Sequence, residues 1–187
     1  MAGAYALGDM VSKELAEKLR RVKILLLDAD GVMTNGKLYF SNSGEITMRF
    51  DVRDGSGIRY LSLGGIQTGI ITGKRNNAVA HRARDLHISI VHRNVENKVA
   101  SLNDILRQQN LLPEEVAFVG DDLLDLSIMA KVGVSVAVAD AAPEVREAAD
   151  YVTQNRGGDG AVREVCEMIL KAQDKWGEVV QHYRMML

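Results

Sequence analysis

The chain has 187 residues, of which 47% are hydrophobic and 26% are charged, and its formal net charge is −2. This length and composition are typical of a globular domain with a full hydrophobic core, and we expect residues 1–187 to form a single domain. The near-balanced charge argues against a partner such as nucleic acid or an acidic membrane surface, and no apolar run is long enough to span a membrane. The single cysteine, Cys166, excludes an internal disulfide and is typical of a reducing compartment. Since the N-terminus also lacks a signal-peptide pattern, we expect a cytoplasmic protein.

Along the chain, short apolar runs alternate with segments of helical periodicity. Residues 1–10 are expected to form a loose arm. Strands are predicted at 23–28, 66–71, 88–91, 116–119, 134–138 and 151–152. Helices are predicted after a Ser12 cap, around Ile58, over 77–86 with Asn77 as a cap, from Lys98, after Asp125, from Pro143 and over 162–170. This alternation predicts an α/β fold with a doubly wound parallel sheet.

Two short segments follow the first strand. Leu38 and Phe40 alternate with polar or aromatic neighbours, as do Ile46, Met48 and Phe50, and Asn42-Ser43-Gly44 lies between the two runs. This pattern predicts a β-hairpin over about 37–50, placed to act as a flap over the end of the first strand. The next segment, 51–57, is polar and glycine-rich, and it is predicted to be a turn.

Polar side chains collect where the predicted strands end. Asp28 and Asp30 follow the first strand, Thr72 the second, and Asp121 and Asp122 the fourth. Lys98 opens a helix at the same edge. Because ligands of open α/β sheets bind at the carboxyl ends of the strands, we expect these groups to share one crevice.

Several carboxylates in one crevice repel one another unless a cation lies among them. Oxygen ligands without His or Cys favour a hard cation, and we expect Mg²⁺. The hydroxyl of Thr72 and the ammonium of Lys98 suit a phosphate group. The crevice therefore predicts phosphoryl transfer, with one Asp as nucleophile and a second as general acid and base.

These motifs, taken together and in order, resemble the haloacid dehalogenase superfamily of phosphohydrolases. The motifs are D-x-D-G-V after the first strand, I-T-G after the second, a later Lys, and G-D-D-x-x-D after the fourth. The resemblance covers almost the whole chain. Because only a hairpin lies between the first and second motifs, and only a strand and a short connection between the second and fourth, the chain is similar to the branch that lacks a cap domain.

Within that branch, 50–58 and 156–164 resemble segments of 3-deoxy-D-manno-octulosonate 8-phosphate (KDO 8-phosphate) phosphatases. This resemblance implies a Mg²⁺-dependent homotetramer that acts in lipopolysaccharide precursor synthesis in a Gram-negative bacterium. It implies catalytic roles for Asp28 as nucleophile, Asp30 as acid and base, and Thr72 and Lys98 as phosphate-holding groups. The implied metal ligands are Asp28, Asp30 through its backbone carbonyl, and Asp121. The implied substrate-binding residues are Asp30, Asp51, Val52, Arg53, Asp54, Gly55, Arg59, Lys74, Arg82 and Lys98.

Two residues depart from that pattern. Asp51 stands where the family usually has Asn, and Lys74 where it usually has Arg, which replaces a bidentate grip on a carboxylate by a point charge. An alternative substrate is a nine-carbon sugar acid 9-phosphate, although relatives acting on it tend to carry Glu at position 74. A non-enzyme alternative is a receiver-like signalling domain, which would need an adjacent acid pair on the first strand instead of the fourth.

Without a cap, the crevice would be open to water. The apolar alternation of the hairpin leaves a face that a small domain does not bury, and such a face commonly marks an interface. We therefore expect hairpins of several subunits to associate and cover one another's sites, with the C-terminal tail reaching across.

Overall fold

The computed structural model describes residues 11–75 and 77–185. The predicted arm, 1–10, lies outside the described residues. Eight strands are present in this part of the chain: β1 Ile24–Leu27, β2 Tyr39–Phe40, β3 Ile46–Thr47, β4 Gln67–Thr72, β5 Ile90–Arg93, β6 Val116–Gly120, β7 Val134–Ala137 and β8 Tyr151–Val152. The α-helices found there are α1 Lys13–Arg21, α2 Val52–Leu63, α3 Asn77–Asp85, α4 Lys98–Gln109, α5 Leu126–Met129, α6 Pro143–Ala148, α7 Ala161–Ala172 and α8 Trp176–Met185.

Six strands form one parallel sheet in the order β5-β4-β1-β6-β7-β8. All four residues of β1 are buried, as expected for a central strand covered on both faces. The chain moves from β1 outward through β4 to β5, and then returns to the other side of β1 with β6. The order therefore reverses between β1 and β6, and ligands of open α/β sheets bind at such a reversal. The predicted fold class is confirmed.

The helices cover both faces of this sheet. Since crossovers between parallel strands are right-handed, α2 and α3 lie on one face and α4, α5 and α6 on the other. Helices α1 and α7 pack together with α2 on its face. None of the helices in the described ranges is both long and apolar enough to cross a membrane.

The predicted hairpin is present but short. β2 and β3 pair antiparallel, with Tyr39 opposite Thr47 and Phe40 opposite Ile46. The side chains of Phe40 and Ile46 are 66% and 45% exposed, whereas Met48 turns into the core. The base of the hairpin is fixed by a bridge between Thr34 and Phe50. The hairpin thus leaves an exposed apolar face in the single chain.

The prediction of a turn over 51–57 is wrong, because α2 already begins at Val52. Asp51 is its N-cap, and its carboxylate accepts hydrogen bonds from the backbone N–H groups of Arg53 and Asp54, at 2.6 and 3.2 Å. Glycine would weaken an isolated helix here. In the folded chain, however, Gly57 lets α2 approach α7 so closely that an added Cβ would lie 3.0 Å from the Cα of Arg163.

Two further predictions need correction. The third strand runs over Ile90–Arg93, two residues later than predicted. Asn77 is the first residue of α3 and not its cap. The C-terminal segment Trp176–Met185 forms a helix that packs on its own chain, and contact of the tail with a neighbouring subunit stays a prediction. The rings of Trp176 and Tyr183 pack edge-on against Tyr60 of α2.

Candidate active site

A cleft of about 780 Å³ lies at the carboxyl ends of the central strands. It is lined by the ends of β1, β4 and β6 and by the start of α4. Of the residues predicted to carry chemistry, five line it: Asp28, Asp30, Thr72, Lys98 and Asp121. Asp122 and Lys74 line it as well. The predicted convergence of separate segments on one crevice is therefore what the fold produces.

The floor of the cleft is an ion cluster around Lys98, the first residue of α4. Its ammonium group donates hydrogen bonds to Oδ1 of Asp28 at 2.6 Å and to Oδ1 of Asp125 at 2.5 Å. All three side chains are buried. Charge-assisted hydrogen bonds of this kind are the condition under which buried charges are tolerated.

The site predictions did not include Asp125, although it belongs to the G-D-D-x-x-D motif. Its second oxygen, Oδ2, accepts a hydrogen bond from the backbone N–H of Asp121 at 2.9 Å and a longer one from that of Asp122 at 3.4 Å. Asp125 thus holds both Lys98 and the loop after β6. Its spacing of four residues from Asp121, at a strand-to-helix turn, is the sequence signal that could have found it.

Burial and mutual repulsion raise the pKa values of two acids in the cleft. The pKa of Asp28 rises to about 6, chiefly because the side chain is buried, and Lys98 opposes the rise. The pKa of Asp121 rises to about 7, because of burial and then because of the charge of Asp28. Burial by itself would lower the pKa of Lys98, but Asp28 and Asp125 outweigh it and the pKa is raised.

Asp30 and Thr72 complete the cleft. Oδ1 of Asp30 is buried and accepts no hydrogen bond from any residue that the structure describes; Lys74 Nζ, 3.5 Å away, is an ion-pair partner. The side chain of Thr72 is buried at the end of β4 and its hydroxyl accepts a hydrogen bond from the N–H of Lys74.

The remaining predicted substrate-binding residues do not line this cleft. Asp51–Gly55 form the start of α2, where Val52 and Arg53 are exposed and Asp54 is buried. Arg59 lies further along the same helix and is exposed. Arg82 of α3 donates a hydrogen bond to the carbonyl oxygen of Asp51 at 3.1 Å and pairs with Asp85. Of all the predicted substrate-binding residues, Asp30, Lys74 and Lys98 are the ones that line the cleft of their own chain.

The donor set fits a hard divalent cation. Carboxylate oxygens of Asp28, Asp121 and Asp125 lie within 4.8 Å of one another. Asp125 is fully engaged with Lys98 and the backbone, so Asp28 and Asp121 are the carboxylates that remain for a cation, and Asp30 would add its backbone carbonyl oxygen. A cation bound by Asp28, Asp30 and Asp121 would remove the repulsion that raises the pKa values of Asp28 and Asp121.

Comparison with known proteins identifies the family. A model of haloacid dehalogenase-like hydrolases matches residues 64–165. The 3-deoxy-D-manno-octulosonate 8-phosphate phosphatase of Escherichia coli K12 is 45% identical over 168 residues, which cover 90% of this chain and 89% of that protein. The chain belongs to the haloacid dehalogenase-like hydrolases. Membership in this enzyme family decides against the receiver-like alternative.

Two solved structures extend the comparison. The KDO 8-phosphate phosphatase of Yersinia pestis has a TM-score of 0.88 and 44% identity, over 89% of this chain and 90% of that one. The enzyme of the same name from Moraxella catarrhalis, crystallised with magnesium, phosphate and KDO, has a TM-score of 0.89 and 34% identity, over 91% and 98%. The likeness to this branch of the hydrolase family thus extends over nearly the whole chain.

Proposed function

We propose that this hydrolase is a Mg²⁺-dependent phosphatase that releases phosphate from KDO 8-phosphate in lipopolysaccharide precursor synthesis. The observation that carries the proposal is the cleft in which Asp28, Asp30, Thr72 and Lys98 meet. It has the parts that phosphoryl transfer needs, namely a nucleophile, a second acid and phosphate-binding donors. The similarity to KDO 8-phosphate phosphatases supports the substrate.

In the first step, a carboxylate oxygen of Asp28 attacks the phosphorus atom, and the bond from phosphorus to the sugar oxygen breaks. Asp30 donates a proton to that leaving oxygen, which leaves as the sugar hydroxyl. In the second step, Asp30 takes a proton from a water molecule whose oxygen attacks the phosphorus of the aspartyl phosphate. Inorganic phosphate leaves, and both carboxyl groups return to their starting states.

The other residues of the cleft orient the nucleophile and stabilise the negative charge of the phosphoryl group. Lys98 keeps Asp28 oriented and, with the hydroxyl of Thr72, donates hydrogen bonds to the phosphoryl oxygens as negative charge develops. When bound by Asp28, Asp30 and Asp121, Mg²⁺ supplies positive charge that offsets the repulsion between carboxylate and phosphate.

Lys74 supports a sugar acid as the substrate. Its ammonium group lies 3.5 Å from Oδ1 of Asp30, at the cleft, and its side chain is 57% exposed. A sugar acid phosphate carries a carboxylate in addition to its phosphate, and an exposed cation at the mouth of the cleft suits that group. A cation at position 74 favours the eight-carbon acid over the nine-carbon alternative.

We further propose that residues 1–187 act as a single cytoplasmic domain in a homotetramer, with the hairpin over 37–50 as a flap on a neighbour's cleft. Two observations support assembly. Phe40 and Ile46 leave an apolar hairpin face exposed. The start of α2, Arg59 and Arg82 lie outside the cleft of their own chain, and the exposed side chains of Val52, Arg53 and Arg59 are open to a neighbour's site.

The proposal is tested by measuring phosphate release from a panel of sugar acid phosphates with Mg²⁺. KDO 8-phosphate should be the preferred ester, ahead of a nine-carbon sugar acid 9-phosphate. EDTA should abolish turnover and Mg²⁺ should restore it, whereas Ca²⁺ should support it poorly because its larger, looser coordination disturbs in-line geometry. Full activity without metal, or a clear preference for the nine-carbon ester, would contradict the proposal.

A further inference from the structure

The loop 156–160, Arg-Gly-Gly-Asp-Gly, is distant in sequence from the catalytic motifs but lies directly against them. It connects β8 to α7, and Gly157, Gly158 and Gly160 are buried. Its inner side faces the turn 31–36, which follows Asp30 and leads into the hairpin. Loops normally run over the protein surface, so it is unusual that the glycines of this loop are buried against the turn that follows Asp30.

Gly157 touches the backbone of the turn 31–36. A Cβ added to Gly157 would lie 1.6 Å from the carbonyl oxygen of Gly31 and 3.3 Å from the nitrogen of Val32. The neighbouring Gly158 donates a backbone hydrogen bond to the carbonyl oxygen of Val32 at 2.8 Å. The two backbones are thus in van der Waals contact and joined by a hydrogen bond, so that one cannot move without the other.

Gly31 in turn lies against Asp121, one of the acids proposed to bind the metal. It has a φ of +88°, and a Cβ added to it would lie 2.0 Å from Oδ2 of Asp121. The loop, the turn and the Asp121 carboxylate are therefore stacked in that order. A displacement of the Gly31 peptide would move the adjacent Asp30 and press on Asp121.

Two carboxylates anchor the loop from outside. Asp140, in the turn after β7, accepts hydrogen bonds from the N–H of Gly157 at 2.9 Å and from Nε of Arg156 at 3.1 Å. Asp54, buried in α2, accepts hydrogen bonds from the N–H of Gly160 at 3.4 Å and of Arg163 at 2.8 Å. The loop is fixed at both ends before it meets the turn.

We propose that Gly157, held by Asp140, is a positioning residue that sets the place of the Asp30–Gly31 peptide and hence the proton transfer by Asp30. This inference rests on the proposed function. Phosphate binding depends on Thr72 and Lys98, which are carried by β4 and α4 and not by the turn that the loop contacts. Disturbing Gly157 therefore weakens proton donation to the leaving oxygen more than it weakens phosphate binding.

The test compares two esters whose leaving groups differ in their need for a proton. The sugar alkoxide of KDO 8-phosphate needs one, whereas the phenolate of p-nitrophenyl phosphate is stable without it. The measured quantity is kcat/KM, because it reports the step in which the ester bond breaks. Gly157→Ala should lower kcat/KM for the sugar ester by roughly 10- to 100-fold, since small misplacements near the reacting groups have costs of that order. The loss for the aryl ester should be roughly tenfold smaller.

Asp140→Ala provides the same test without a steric clash, because it frees the N–H of Gly157 and leaves every glycine in place. It should show the same unequal loss. Asp140→Asn, which keeps an acceptor oxygen, should recover most of the lost kcat/KM for the sugar ester.

Two controls match these variants. Arg156→Ala removes the exposed partner of Asp140 but keeps the bond to Gly157. Gly160→Ala strains the same loop at a φ of +103° without contact to the turn, so it should reduce thermal stability and leave the two losses equal.

Equal losses for both esters in folded Gly157→Ala and Asp140→Ala would overturn the inference, as would the unequal loss appearing in Gly160→Ala. If Gly157→Ala does not fold, Asp140→Ala decides alone. A wild-type protein that hydrolyses neither ester overturns the proposed function and this inference with it. A wild-type protein that cleaves both, with no unequal loss in either test variant, overturns the inference and leaves the proposed function standing.

Discussion

Asp28 and Asp30 are separated by one residue, yet their carboxylates have different surroundings. Asp28 is buried and lines the cleft, and the ammonium group of Lys98 fixes one of its oxygens by a hydrogen bond. Asp30 has a buried oxygen that accepts no hydrogen bond from the described residues, and Lys74 lies beside it. A fixed carboxylate suits a nucleophile, and a carboxylate with a free oxygen suits proton transfer.

Replacing each acid by its amide separates these two roles. Asp28→Asn should abolish turnover, because an amide cannot form the aspartyl phosphate. Asp30→Asn should lower kcat by roughly 10²- to 10⁴-fold, the usual cost of losing a general acid and base. Both are measured as phosphate release, with thermal unfolding as the control for folding. Near wild-type turnover by Asp28→Asn would contradict the covalent mechanism.

At the scale of elements, the start of α2 shows why one departure from the family pattern is tolerated. Asp51 caps the helix through hydrogen bonds to the N–H groups of Arg53 and Asp54. Asn, which the resemblance leads us to expect there, is an equally good N-cap. The helix therefore begins at the same residue with either side chain.

We expect Asp51→Ala to lower the free energy of unfolding by about 1 kcal/mol, the usual cost of losing an N-cap acceptor. Asp51→Asn should change it by less than about 0.5 kcal/mol, because the amide oxygen keeps the cap. Urea unfolding of the two variants against wild type measures both changes. An equal loss in both variants would mean that the charge of Asp51, and not its hydrogen bonds, stabilises α2.

The elements that could be predicted from the sequence are those whose signal is local. β1 was predicted almost to the residue, because an unbroken apolar run followed by Asp28 has few other interpretations. α2 was predicted to begin too late, because its glycines look like a turn until α7 is packed against Gly57. The spacing of Asp125 within its motif is a local signal, but its pairing with Lys98, 27 positions away in the chain, is not. Pairings across such distances depend on tertiary structure.

At the scale of the whole molecule, Asp54 makes stability depend on pH. It lies between α2 and the start of α7, and burial raises its pKa to about 6. The facing charges are Asp51, which adds to the rise, and Arg53, which opposes it. The unfolded chain has an ordinary aspartate pKa of about 3.9, so the folded state binds more protons between these two values. Folding is therefore favoured as the pH falls through 6, and this stabilisation is lost as the pH rises again.

With Mg²⁺ in excess, so that the cleft acids stay ionised, lowering the pH from 7.5 to 5.5 should stabilise the protein by about 1 kcal/mol through Asp54. Asp54→Asn should remove most of this dependence, because it no longer titrates. Thermal or urea unfolding at the two pH values, on wild type and variant, measures the difference. The same dependence in both proteins would assign it to another group.

The last prediction joins the hairpin to substrate choice. Phe40 and Ile46 lie opposite each other on the same face of the hairpin and are largely exposed, while Leu38 is partly buried against the core. A charge at Ile46 therefore acts on the proposed interface with little effect on the fold, whereas a charge at Leu38 would affect both. Thr47, on the other face of the same strand, provides the matched control.

Ile46→Lys should give a smaller species in light scattering than wild type, because a buried unpaired charge opposes association. It should also lose turnover of the sugar acid phosphate far more than turnover of p-nitrophenyl phosphate, since only the larger substrate needs a wall supplied by a neighbour. Thr47→Lys should keep both the assembly and the preference. A fully active and equally selective monomer of Ile46→Lys would show that the cleft selects its substrate without a second subunit.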